Sequence, residues 1–232
     1  MHPVAPFPPQ LFCSPTMRCV EVSGRLVVLD LSAGVYDVVD EVGTAMWGLL
    51  TQPPAARDLP RLAADFGASP SLVEADFSDF ATAQLTAGRL VAEHQAMSAQ
   101  PAPKAVRRRP SLLRALRERA SATRDLQRDF ATAYQDRVDA MADTREPRVD
   151  PHRLVKRFRS AESLYQSQEA PLDCLPRSLA LLRYLRIAGW PARHVIGVAL
   201  YPFEAHAWVE LDGDPVNESA AYLRRFTVIQ QA

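Results

Sequence analysis

A disulfide framework, a membrane span and a dominant charge are all missing from this chain of 232 residues. Its three cysteines, Cys13, Cys19 and Cys174, form an odd set with no CxxC pair. That argues against a stapled secreted fold and against a structural zinc site, and it suits a reducing cytosol. Cys13 and Cys19 have no histidine at ligand spacing and read as small apolar fillers, so neither a metal nor another cofactor is expected. No run reaches the ~18 apolar residues that a membrane helix needs. The opening Met1-His2-Pro3-Val4-Ala5-Pro6-Phe7 lacks the basic start and apolar core of a secretory signal. A cytoplasmic protein is expected, with a flexible proline-bearing tail over residues 1–15. Lysine plus arginine equals aspartate plus glutamate, 27 each, but unevenly along the chain. Residues 1–100 carry 5 basic and 11 acidic groups (−6), and residues 101–128 carry 9 and 2 (+7). The basic charge therefore belongs to a connector, not to the whole protein.

What is present is a core-forming composition, 47% apolar, laid out in two parts. From Arg18 to Val39, short apolar runs alternate with Ser23-Gly24 and Ser32-Ala33-Gly34, which predicts three antiparallel strands. Helical spacing follows after Asp40, again near Asp58–Phe66, and from Ser69 onward through Leu72, Val73, Phe77, Phe80 and Leu85. Residues 16–97 thus read as one domain of three strands and then three helices. Residues 98–110, rich in proline and arginine, read as a linker. In residues 111–232, helical patterns precede two strands, Val195–Leu200 and His206–Leu211, with Asp212-Gly213-Asp214 as a hairpin turn. The predicted class is α+β throughout.

Within the second part, three residues stand in an order that carries chemistry. Cys174 opens an apolar helix, since Asp173 is placed to cap it and Pro176 is tolerated only in a first turn. A helix N-terminus and a nearby imidazole both favour a thiolate. The free N–H groups of that turn suit the oxyanion of an attacked carbonyl. His206 opens a strand 32 residues later, and Glu218 follows the hairpin where a carboxylate could orient the ring. Asp212 and Asp214 suit the turn itself better. Taken singly, each of the three has an ordinary structural explanation: a core thiol, a strand histidine, a solvated acid. Gln168 is a further candidate, as an oxyanion donor, though a solvated loop glutamine fits it as well.

The blocks Cys174-Leu175-Pro176-Arg177-Ser178-Leu179, Gly189-Trp190-Pro191 and Glu204-Ala205-His206-Ala207-Trp208 resemble the transglutaminase-like cysteine peptidases of lasso-peptide biosynthesis, the B proteins of those gene clusters. The resemblance covers about residues 150–232. It implies a helical and small antiparallel-sheet domain of transglutaminase or papain type, with Cys174 as nucleophile and His206 as base. Glu218 stands where that family usually has Asp. Residues 16–95 are similar to a PqqD-like RiPP recognition element, a winged-helix module, through their element order, Tyr36-Asp37 and Met46-Trp47-Gly48-Leu49-Leu50. That likeness implies a leader peptide added as a strand beside Val35, Tyr36, Asp37, Val38 and Val39, with apolar leader residues against Phe77 and Phe80. It also implies two partners, a precursor peptide and an asparagine-synthetase-like cyclase that uses ATP.

Three other readings stay open on the residues alone: an acyl transferase, a leader-binding scaffold without cleavage, and a winged-helix DNA regulator. The last would use Arg107, Arg108, Arg109, Arg114, Arg117 and Arg119 on phosphates. The net acidic first hundred residues oppose it, so no nucleic-acid partner is expected.

Overall fold

A computed structural model describes residues 8–93, 110–140, 149–164 and 173–232. The linker expected over residues 98–110, apart from Pro110, and Gln168 lie outside these. The described residues form two compact units: residues 8–30 and 35–93 make the first, and residues 31–34 with those from 110 onward make the second.

In the first unit, β2 (Met17–Val22), β3 (Arg25–Asp30) and β4 (Val35–Val39) form an antiparallel sheet in that order. Ser23 and Gly24 both take positive φ in the turn from β2 to β3. The turn is tight because glycine enters this region without steric cost. Helix α1 (Glu41–Leu50) is capped by Asp40, whose carboxylate accepts from the Gly43 N–H at 2.8 Å. Helices α2 (Leu59–Asp65) and α3 (Pro70–Thr86) start the same way, at Asp58 and Ser69, each followed by an early proline. Leu26, Val28, Trp47, Leu50, Leu62 and Phe77 meet in the core of this unit. Each fully buried side chain of this size stabilises the fold by about 1.5–3 kcal/mol.

Residues 8–13, expected as part of a flexible tail, are held instead. Strand β1 (Phe12–Cys13) pairs with β5 (Leu90–Val91), and Leu11 is fully buried. Arg57 donates to the carbonyls of Pro8 and Pro9 at 2.6 and 2.8 Å. Proline has no N–H but keeps its carbonyl, so a proline-rich segment still offers acceptors to a guanidinium.

The second unit places α4 (Leu112–Arg128), α5 (Phe130–Val138) and α6 (Pro151–Glu162) around α7 (Cys174–Ile187). Between α4 and α5 the helix breaks at Asp129. There the backbone turns extended and the carboxylate caps α5 by accepting from Thr132. Helix α7 packs on an antiparallel sheet ordered β8 (Asp214–Pro215), β7 (Glu204–Leu211), β6 (Arg193–Ala199), β9 (Thr227–Gln231). Helix α8 (Ala220–Leu223) precedes β9. Asp212 and Gly213 both take positive φ, which fits the hairpin between β7 and β8.

Charged residues in α4 and α5 run against the sequence pattern. Glu118, Arg119 and Arg137 are almost wholly buried. The Glu118 carboxylate is met by Arg114, by Arg183 at 3.3 Å and by Arg137 at 3.8 Å. Removing one member of such a buried set costs about 3–5 kcal/mol, because its partner is left charged and dry. Arg114 and Arg119, considered above for phosphate contacts, are thus committed to ion pairs inside this unit. No helix among the described residues is long and apolar enough to cross a membrane.

Candidate active site

Cys174 is the first residue of α7 and is half-buried, so its thiol is neither sealed nor fully exposed. Asp173 precedes it but does not cap the helix with its side chain, contrary to the sequence expectation. Its carboxylate is instead taken by the buried Arg119 guanidinium of α4, which also donates to Thr123 at 2.6 Å. Pairing with this desolvated arginine keeps the carboxylate away from the N–H groups of its own helix. Arg119 lies 3.7 Å from Glu162 as well, and Glu162 accepts from Arg177 through both oxygens at 3.1 Å. Helices α4 and α6 are thereby tied to the first turn of α7, where the thiol sits.

His206 lies on β7, its side chain 14% exposed, with Glu218 Oε1 3.3 Å from Nε2. The carboxylate is an ion-pair neighbour of that nitrogen and lies outside the alignment of a directed hydrogen bond. Burial pulls the ring's pKa down. Close polar contact with Cys174 and Glu218, and the charge of both, outweigh burial and raise it to about 9. Glu218 is held below the usual carboxylate range, first by its polar contact with His206 and then by Arg177 and Arg159. The segment carrying Glu218 is pinned from both sides. Asn217 Oδ1 accepts from the Val209 N–H at 2.8 Å, and its carbonyl accepts from Arg159 at 3.1 Å.

Aromatic rings wall the imidazole. Phe226 and Trp208 lie near-parallel to it, at 5.6 and 6.4 Å between centroids, and Tyr222 meets it edge-on at 5.3 Å. The Trp208 indole N–H is fixed by Glu210 at 2.7 Å. Gly197 faces His206 across the β6–β7 ladder. A Cβ there would come within 2.8 Å of both Phe226 and Trp208, so only glycine lets these rings close over the strand. Thiol, imidazole and carboxylate therefore share one site in which the ring is held still and charged.

The other sequence-predicted residues lie in the first unit. Strand β4 is an edge strand among the described residues, paired only with β3. A cavity of about 570 Å³ lies between β4, α1 and α3, lined by Asp37, Val38, Val39 and Phe80 among others. Val35 and Tyr36 do not line it, and Val35 is 58% exposed. Phe77 is fully buried in the core, with Arg57 stacked 5.7 Å from its ring, so the expected contact of Phe77 with a peptide is corrected. On α3, Phe77 and Phe80 are three residues apart, and only Phe80 faces the cavity. Sequence reasoning named Asp37 but missed the cavity's other carboxylates, Asp40, Asp76 and Asp79, and Arg89, which pairs with Asp37 at 2.6 Å. The summed acidic charge of the region was the signal for them.

A helix beginning at a cysteine packs on an antiparallel sheet that carries the histidine, with the acid in the bend after β8. Residues 97–231 match the family model of the Transglutaminase-like superfamily, and the chain belongs to that superfamily. It is 30% identical over 82 residues to the Microcin J25-processing protein McjB of Escherichia coli. That stretch is 35% of this chain and spans 39% of the relative's length. A solved structure described as TbiB1 in complex with the TbiA(beta) leader peptide is also similar, at 23% identity and a TM-score of 0.29. The likeness covers 36% of this chain and 98% of that one.

Proposed function

We propose that this chain is a leader peptidase of lasso-peptide maturation, a member of the B-protein group. In this reading the first unit acts as a winged-helix-like recognition element that holds the precursor's leader, and the second cuts leader from core. The carrying observation is the Cys174–His206–Glu218 arrangement at the start of α7. The similarity to a microcin-processing protein supports the substrate class.

Chemically, the Cys174 sulfur, its proton held on the His206 imidazolium, attacks the scissile carbonyl. The N–H groups of the first turn of α7 are placed to receive the oxyanion. The imidazolium then protonates the departing core amine, leaving the leader as a thioester on sulfur. His206 next takes a proton from water as the water oxygen attacks the thioester; the C–S bond breaks, the leader acid leaves and the sulfur of Cys174 is regenerated. Glu218 keeps the ring oriented and stabilises its charged form.

In the first unit, an extended leader would pair with the β4 edge, which has no further strand among the described residues, and set apolar side chains against Phe80 and Met46. Four cavity carboxylates against one arginine favour a leader that carries basic residues. Joining both activities in one chain raises the local concentration of the cut site to the ~mM range when the connector spans the two. The freed core amine would pass to an asparagine-synthetase-like cyclase.

The test is mass spectrometry of the full chain incubated with the precursor peptide from its own gene cluster, with and without the cyclase. Separate leader and core masses are expected, while Cys174→Ala keeps leader binding and yields no cleavage. Cleavage by Cys174→Ala at the wild-type rate would overturn the scheme. A crosslinked product in place of two fragments would replace hydrolysis with acyl transfer.

A further inference from the structure

Cys13 and Cys19, six residues apart, bring their sulfurs to 3.3 Å. The chain reverses between them: the Met17 N–H returns to the Ser14 carbonyl at 2.9 Å, and Ser14 N–H is held by Arg89 at 3.0 Å. Cys13 ends β1 and is exposed, while Cys19 sits on β2 and packs against the core of the first unit. Cys19 thus packs as the small apolar filler expected, while the exposed Cys13 does not. We propose that Cys13 and Cys19 form a redox-active dithiol that exchanges with small-molecule disulfides and closes into an intramolecular disulfide.

Geometry and reactivity agree on the order of events. A disulfide holds its sulfurs about 2.05 Å apart, so closure needs an approach of roughly 1.2 Å, within reach of rotating the exposed Cys13 side chain. The hydrogen bond with Cys19, and the nearby Arg18, hold the Cys13 thiol below its usual pKa, whereas Cys19 is pushed up. Cys13 is thus the accessible attacking thiol. With glutathione disulfide as oxidant, the Cys13 thiolate forms a mixed disulfide and expels one glutathione thiolate. Cys19 then attacks the Cys13 sulfur and expels the second. The balance is one dithiol plus one glutathione disulfide giving one protein disulfide and two glutathione thiols.

The new bond would join the β1–β5 pair to the three-stranded sheet, which are separate sheets in the reduced protein. Arg89, just before β5, is the residue that holds Asp37 on the β4 edge. Oxidation would consequently brace the frame of the cavity and leave the Cys174 site untouched.

The experiment uses the full chain carrying Cys174→Ala, equilibrated across a series of reduced-to-oxidised glutathione ratios, alkylated, and digested with trypsin. Trypsin cuts after Arg18, between the two cysteines, so closure is read directly as two peptides joined by one disulfide in a monomer on a non-reducing gel. That joined species is expected to rise in a single transition as oxidant increases. In Cys19→Ser the resolving thiol is gone, and Cys13 should stay trapped as a glutathione adduct. Independent glutathione adducts on both cysteines, or free thiols across the whole series, would overturn the proposal.

Discussion

Two histidines sit on neighbouring strands of the same sheet and have opposite fates. His194 on β6 is completely buried, its Nε2 paired with the Ser178 hydroxyl at 2.9 Å. Burial, helped by Arg186, pulls it down to about 3, so it stays neutral at any ordinary pH. His206 on β7 is also enclosed, yet the thiol of Cys174 and the carboxylate of Glu218 carry it to about 9 despite the burial. Enclosure alone discharges an imidazole, and enclosure beside anionic partners charges it. Helix α7 serves both rings, through Ser178 in its interior and through Cys174 at its start. Only the end of the helix leaves room for an acid and a thiol to meet the ring.

Replacing His206 with alanine should break this contrast most severely. Cleavage should fall on the order of 10²–10⁴-fold, the usual contribution of a positioned acid–base, while the circular dichroism spectrum stays native. Cleavage near the wild-type rate would remove His206 from the mechanism.

Glu218→Gln sharpens the comparison by deleting one of the two anions. The His206 pKa should drop from about 9, followed by NMR of the ring carbons. Loss of the orienting carboxylate should slow cleavage roughly 10–100-fold. The sign follows from the raised folded value. Stabilisation by the charged ring is complete below the unfolded pKa of about 6.5 and is lost as pH rises through about 9. The alkaline limb of kcat/KM should lie near that upper value, where the proton for the leaving amine is lost, and should move to lower pH in Glu218→Gln.

The smallest effect belongs to the neutral histidine. Ser178→Ala removes the hydrogen bond to His194 and should lower unfolding free energy by about 1–3 kcal/mol in a denaturant titration, since the ring nitrogen is left without a partner. It should leave the pH–rate profile unmoved. A shifted profile in Ser178→Ala would mean that the two rings are coupled through α7.

Much of this architecture was readable beforehand, for local reasons. The β2–β4 meander and α1–α3 followed from alternating or helical apolar spacing bounded by Asp, Ser, Gly and Pro, which act within a few residues of themselves. That Cys174 begins a helix, that His206 lies on a strand and that Glu218 follows the hairpin were legible in the same way, although His206 is the third residue of its strand and not the first. Charged residues in the interior were not. Glu118, Arg119 and Arg137 look like a solvated helix face when periodicity is the only guide, because their partners lie on other helices. Phe77 and Phe80 are equally indistinguishable in sequence, and packing alone sends one to the core and the other to the cavity.

By itself, then, the amino-acid order determined which segments become strands and helices and that one helix begins at a cysteine. Tertiary structure decided the rest: that Asp173 serves Arg119 and not its own helix, that one histidine is neutral and the other charged, and that two thiols of the first unit touch. These outcomes depend on distances between groups far apart along the chain and on the water excluded around them. Local sequence encodes neither.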